Sequence, residues 1–230
     1  MNFWTRLFDL VAPRLCAACG NRLCETEVTA CLNCLLTLPR THYAEQPVDN
    51  PMARLFWGHF PIERAAAWFF YQPSAPHSPI IHHLKYHDQE EIGHFIGHVA
   101  AEEMSRHAFF EGIDALIPIP LTRRRMRQRG YNQSRAIADG ISGVTGIPVL
   151  DKVVQRTHFE ESQTHKSAAE RRENVERVFT LTKPEMLSNR HVLMVDDVIT
   201  TGSTMISCCR EIQRAPSVRM SVFAAGYTRS

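Results

Sequence analysis

No glycine is followed by lysine anywhere in this chain, and no apolar run approaches the roughly 18 residues that a membrane span requires. The first absence removes the phosphate-cradling loop of P-loop nucleotidases. The second removes a spanning helix. Charge of one sign is also scarce, because 26 Lys and Arg against 24 Asp and Glu leave a net charge of +2. Composition alone therefore does not call for a polyanionic partner. Aromatic residues make up 9% of the chain, few for a protein that stacks successive bases. What is present is ordinary for a soluble globular protein, with 44% hydrophobic and 22% charged residues. A length of 230 residues accommodates one substantial core plus a small accessory module. Near the start, Phe3, Trp4, Leu7, Phe8, Leu10 and Val11 are apolar, but Arg6 and Asp9 interrupt them and Arg14 follows. We expect neither a signal peptide nor membrane insertion, and a cytoplasmic location.

The 7 cysteines include two spaced pairs, Cys16-x-x-Cys19 and Cys31-x-x-Cys34. Two intervening residues let both thiolates of a turn reach one ion, and Gly20 permits the left-handed backbone that follows such a turn. Four thiolates around tetrahedral Zn²⁺ form a closed, structural site. Cys24 offers a fifth candidate ligand, and disulfides are the alternative use of the same residues. Cys208 and Cys209 read as small apolar core residues. The 12 histidines form no comparable pattern. His94 and His98 share a helical face, but the glutamate of a metalloprotease helix is missing beside His94, so we read them as solvated or packed.

Residues 192–204, VLMVDDVITTGST, carry the densest chemical signal. Val192, Leu193, Met194 and Val195 suit a central parallel strand covered on both faces. Carboxyl ends of such strands are where open α/β sheets bind ligands, so Asp196 and Asp197 face a crevice. Adjacent carboxylates accept hydrogen bonds from a vicinal diol. Beyond them Thr200, Thr201, Ser203 and Thr204 offer hydroxyls, Gly202 allows close backbone approach, and a helix starting near Ser203 aims free N–H groups at an anion. A strand followed by an ordinary capped turn is the plain alternative, although two unpaired acids at a strand end are costly.

Between these landmarks, residues 41–61 turn to Pro, Asp, Asn and Gln and read as a linker. Strands are expected at 65–71, 113–120, 148–155 and 218–225, and helices at 78–87 and 90–110. Strand and helix alternate, which predicts a mainly parallel sheet. Immediately after the 113–120 strand, Arg123, Arg124, Arg125, Arg127 and Arg129 concentrate positive charge. A solvated basic helix face is one reading. A loop beside the Asp-Asp crevice, with guanidinium groups for phosphate, is the other. Residues 156–174 are polar and gather Arg156, Lys166, Arg171 and Arg172. They are either an exposed helix or a long loop that closes over the crevice.

Residues 192–204 resemble the binding motif for phosphoribosyl pyrophosphate (PRPP) of type I phosphoribosyltransferases. With the paired cysteines, Leu84-Lys85-Tyr86, Pro118-Ile119-Pro120-Leu121, Arg129-Gly130-Tyr131-Asn132-Gln133 and the Arg156/Gln163/Arg171/Asn174 spacing, the chain resembles the ComF/GntX family over nearly its full length. The resemblance implies an α/β phosphoribosyltransferase fold at 46–230 behind a zinc-finger-like module at 1–45. It further implies PRPP bound with Mg²⁺ through Asp196, Asp197, Thr200, Thr201, Gly202, Ser203 and Thr204, and transfer of phosphoribosyl in which the two aspartates stabilise the reacting sugar. Thr122, Arg123 and Arg156 are then the candidates for holding pyrophosphate. The family association is natural competence and use of imported DNA, so single-stranded DNA or a competence helicase is an expected partner. A non-catalytic DNA adaptor and a PRPP-sensing regulator are the alternatives. The chain departs from the family pattern at His158, Glu160 and Lys166.

Overall fold

The computed structural model describes residues 13–85, 89–156 and 178–229. Helix α1 (Leu32–Thr37) closes a short amino-terminal module and buries none of its residues. A single turn, α2 (Pro51–Arg54), comes next; Asn50 caps it by accepting from the backbone N–H groups of Met52 and Ala53. The main body then runs β1 (Ala65–Phe70), α3 (Pro79–Lys85), α4 (Glu90–Ser105), β2 (Ala115–Pro118), α5 (Arg123–Arg129) and α6 (Gln133–Thr145). It ends with β3 (Val154–Arg156), β4 (Phe179–Leu181), β5 (His191–Ile199), α7 (Ser203–Ile212) and β6 (Arg219–Tyr227).

Strands β1, β6, β5 and β2 lie in that order in one sheet, and every pairing is parallel. This is the parallel sheet flanked by helices that the sequence implies. The central strands β5 and β6 are buried along most of their length, as their near-continuous apolar runs require. β3 and β4 form a separate antiparallel pair.

Connectivity locates the crevice. From β2 the chain passes through α6 and returns at Val149, which bridges Leu116 in parallel on the outer side of β2. From β5 it passes through α7 and returns as β6, on the opposite side. Right-handed crossovers that step in opposite directions leave their helices on opposite faces. The carboxyl ends of β2 and β5, which pair from Ala115–Val192 to Pro118–Val195, therefore flank a topological switch point.

Helices α4 and α6 pack with unusual closeness. A Cβ on Gly97 would stand 2.0 Å from the Ile137 carbonyl oxygen, and one on Gly140 would stand 2.2 Å from that of His94. Only glycine fits at either place.

Residues 41–61 are not a linker. Met52, Ala53 and Phe56 are buried, and the Asn50 side chain also donates to the Ala65 carbonyl at 2.8 Å. Asn and Pro punctuate a helix start here, and the same residue types punctuate a linker. The helix expected at 90–110 stops at Ser105, and the strand expected at 148–155 resolves into the Val149 bridge and β3. No helix of the described residues is long and apolar enough to cross a membrane.

Candidate functional site

Strand β5 delivers Asp196 and Asp197 to the switch point. Ile119, just beyond β2, donates its N–H to the Val195 carbonyl at 2.9 Å, which closes the floor between the two strands. The Ser134 hydroxyl, in the first turn of α6, donates to Asp196 Oδ1 at 3.0 Å, and the Asp197 N–H donates to the same oxygen at 2.9 Å. Lys85, the last residue of α3, lies 3.4 Å from Asp197 Oδ2. Burial and the charge of Asp197 push the Asp196 carboxyl up to about 7, against the hydrogen bonds and Lys85. An acid in that position takes its charge readily only when something opposite or hydrogen-bonding arrives.

A cleft of about 210 Å³ opens over this pair. Arg125, Arg129 and Arg156 line it together with Lys85 and both aspartates. Burial and the charge of Arg125 hold the Arg156 guanidinium below its ordinary range, while Asp196 pulls it the other way. Its guanidinium also lies 5.3 Å over the Phe179 ring. The cleft therefore joins two carboxylates to a surplus of cations, a combination suited to a polyphosphate that carries a sugar diol.

Next to it, residues 198–205 wrap a pocket of about 50 Å³ lined by Thr200, Thr201, Gly202, Ser203 and Thr204. Gly202 caps α7 at φ 73, a left-handed conformation natural to glycine. A Cβ there would also meet the Phe56 ring at 3.3 Å. The first N–H groups of α7 face this turn with the positive end of the helix dipole.

The Arg129–Gln133 stretch builds the site rather than merely bordering it. Gly130 turns the chain at φ 78. Tyr131 sends its hydroxyl to the carbonyls of Leu84 and, at 3.2 Å, Gln89, which ties α3 and its terminal Lys85 to this corner. Burial pushes the Tyr131 phenol up to about 12. Asn132 caps α6 and donates to the Ile119 carbonyl at 3.0 Å. Gln133 accepts from Arg129 at 2.7 Å.

Of the residues picked out in the sequence, the structure brings Arg156 to the aspartates. Thr122 caps α5 by accepting from the Arg125 N–H at 3.2 Å. Arg123 lines a neighbouring cleft instead. Arg125 and Arg129 belong to the basic run named in the sequence but not to the pyrophosphate candidates, and Ser134 is in neither. The signal was present, because Arg125 and Arg129 are four apart and share a face once the segment is helical. Tyr86, His158, Glu160, Gln163, Lys166, Arg171, Arg172 and Asn174 lie outside the described residues, as does the apolar segment 1–11.

At the other end of the chain, the Sγ atoms of Cys16, Cys19, Cys31 and Cys34 all lie within 4.8 Å of one another. Those of Cys19 and Cys31 are 3.8 Å apart. Tetrahedral zinc with Zn–S bonds of about 2.3 Å needs sulfur separations of about 3.8 Å, so the cluster fits a metal ion. Burial raises the Cys16 thiol, but the N–H groups of Cys19, Cys31 and Ala18 outweigh it and bring it down to about 7. Cys24 is exposed and outside the cluster; Glu27 accepts from its N–H and from that of Leu32, bracing the loop before α1. None of the cysteines is paired in a disulfide, and Cys208 and Cys209 are buried, with burial raising both.

Known proteins add three findings. The DNA utilization protein YhgH of Escherichia coli K12 is 30% identical over 212 residues, which is 91% of this chain and 88% of that protein. Competence protein F of Haemophilus influenzae is 30% identical over 194 residues, 83% of this chain and 74% of that one. Among solved structures, a purine phosphoribosyltransferase from Pyrococcus horikoshii aligns at 15% identity and TM-score 0.33, covering 59% of this chain and 80% of that one, a likeness too loose to argue from. No family model matches.

Proposed function

Because the chain belongs to the family of competence protein F and YhgH, we propose that it binds PRPP with Mg²⁺ and transfers the phosphoribosyl group to an acceptor in the handling of DNA-derived material. The observation that carries this reading is the placement of Asp196 and Asp197 between an anion-binding helix start and the cations Lys85, Arg125, Arg129 and Arg156. In this reading the carboxylates accept from the two ribose hydroxyls. The 5'-phosphate occupies the turn of Thr200–Thr204, and pyrophosphate lies toward Arg125, Arg129 and Arg156. Bound Mg²⁺ would supply charge neutralisation of the leaving pyrophosphate. Positive charge grows on the sugar as the bond to pyrophosphate breaks, and two carboxylates beside it lower that barrier electrostatically. Ser134 and Lys85 keep the carboxylates aimed.

Calorimetric titration of Mg-PRPP tests the reading. Asp196→Asn/Asp197→Asn is expected to weaken binding by about 100-fold, the cost of two charge-assisted hydrogen bonds. Unchanged affinity would overturn it. Pyrophosphate release across a panel of acceptor bases and amines then separates a transferase from a protein that senses PRPP without turnover.

A second reading, a single-stranded DNA adaptor, is favoured by one observation. Helix α5 buries none of its residues, although it carries Arg123, Arg124, Arg125, Arg127 and Arg129. It predicts salt-sensitive gel shifts that disappear when Arg124 and Arg127 become Glu. We read the cysteine cluster as a structural zinc site, with Cys16, Cys19, Cys31 and Cys34 as ligands and no open position for catalysis.

A further inference from the structure

On the outer side of β2, a second and larger cleft of about 710 Å³ lies between α5 and the segment 150–156. Its volume is within the range of small-molecule sites. Its apolar lining includes Pro118, Pro120, Met126, Leu150 and Val154. Four cations, Arg123, Arg127, Lys152 and Arg156, line the cleft against one acid, Asp151, which is paired with Arg135. Met126 is 42% exposed, so the apolar surface reaches the cleft mouth.

Lys152 supplies a separate indication. It holds φ 62, a left-handed conformation uncommon for a residue with a side chain, and its N–H is tied to Asp151 Oδ1 at 3.0 Å. Asp151 is itself held by Arg135 at 3.2 Å. Strain of this kind persists where the surroundings enforce it, and it concentrates at ligand sites. The neighbouring ion pair sets the Lys152 backbone at the rim.

The structure assigns this cleft to a nucleotide: an apolar slot for a planar base and a ring of cations for its phosphate. It is distinct from the crevice of the aspartates, but Arg156 lines both. A single guanidinium cannot give its full set of hydrogen bonds to two phosphates at once. Nucleotide in the outer cleft therefore draws Arg156 away from pyrophosphate, which makes the cleft an inhibitory site. That last step rests on the PRPP reading; occupancy of the cleft does not. Displacement of pyrophosphate needs the acceptor to attack from the side opposite the leaving group, so a ligand on the far side of Arg156 is a regulator rather than the acceptor.

The test uses the full chain and two probes, thymidine 5'-monophosphate and a short single-stranded oligothymidylate bearing a 5'-phosphate. Calorimetry is run on wild type and on Arg127→Ala/Lys152→Gly, which removes two rim cations and relieves the left-handed residue. Expected is nucleotide binding in wild type that weakens about tenfold or more in the variant, while Mg-PRPP affinity stays unchanged. Saturating nucleotide is expected to weaken Mg-PRPP by about fivefold or more, the lower end of typical coupling. If only the oligonucleotide binds, and a 5'-hydroxyl oligothymidylate does not, the assigned chemistry holds and the source is a DNA end; equal binding of the 5'-hydroxyl oligomer overturns the assignment in favour of the exposed arginines of α5. Absence of binding by both probes, or binding indifferent to the variant, overturns the assignment. Failure of Mg-PRPP to bind at all would sink the crevice reading and leave the nucleotide arm to be judged by itself.

Discussion

The cysteine module and the aspartate crevice are both clusters of ionisable groups, yet they are held in opposite ways. Around the cysteines the core is small: Ala18, Leu23, Ala30 and Leu38 are buried, but α1 buries nothing, and Leu15, Val28, Leu32 and Leu36 are exposed. The groups themselves, once they share an ion, must hold the backbone. In the crevice the backbone is already held, because β5 and β6 are buried on both faces and the charges are hung from their ends. The module draws stability from its charged groups, whereas the sheet spends stability on them.

Chelation separates the two clusters most strongly. Removing metal is expected to unfold residues 13–37, since structural zinc sites contribute on the order of 10 kcal/mol. The sheet should remain, with β5 amides still protected in hydrogen exchange. Loss of protection throughout would show that the module supports the sheet as well.

Next in size is Asp196→Asn. The Asp196 carboxyl is raised from 3.8 to about 7 in the folded chain. Between those values the folded state holds a proton that the unfolded chain has lost, so stability falls as pH rises through the window and the cost is complete above about 7. Urea unfolding at pH 5 and pH 8 should show wild type less stable at the higher pH, by about 2–4 kcal/mol from this group. The variant should show that difference much reduced. An unaltered pH dependence would mean the carboxylate is not a burden on the fold.

Tyr131→Phe is a smaller perturbation. It leaves the Leu84 carbonyl without its hydroxyl donor and is expected to cost about 1–2 kcal/mol. Because Lys85 follows Leu84, Mg-PRPP affinity should drop several-fold too, which calorimetry reads directly. Smallest of all, Cys24→Ser should change stability by less than about 0.5 kcal/mol and leave metal content the same. Loss of metal in that variant would admit Cys24 to the cluster and redraw the module.

The same contrast governs what the sequence made legible. Both clusters announce themselves, because paired cysteines and an apolar run ending in Asp-Asp are local signals whose spacing is the geometry. Parallel order followed from alternating strands and helices. The role of 41–61 did not, since Asn50 and Pro51 look alike whether they start a helix or decorate a linker, and burial of Met52, Ala53 and Phe56 tells them apart. Nor did the division of the arginines between clefts. That depends on α5 being helical, so that Arg125 and Arg129 turn toward the aspartates while Arg123 and Arg127 turn away, a fact of rotation invisible in a list of like charges.

The glycine seam between α4 and α6 acts like a machined joint. Side-chain contacts leave slack, because rotamers adjust, but backbone against backbone leaves none. Ser134 stands one turn from that seam, so the position of Asp196 is gauged from helix α4 through a rigid part. Enlarging Gly97 or Gly140 would misplace a carboxylate it never touches, and the defect would be read as lost affinity at an intact-looking site.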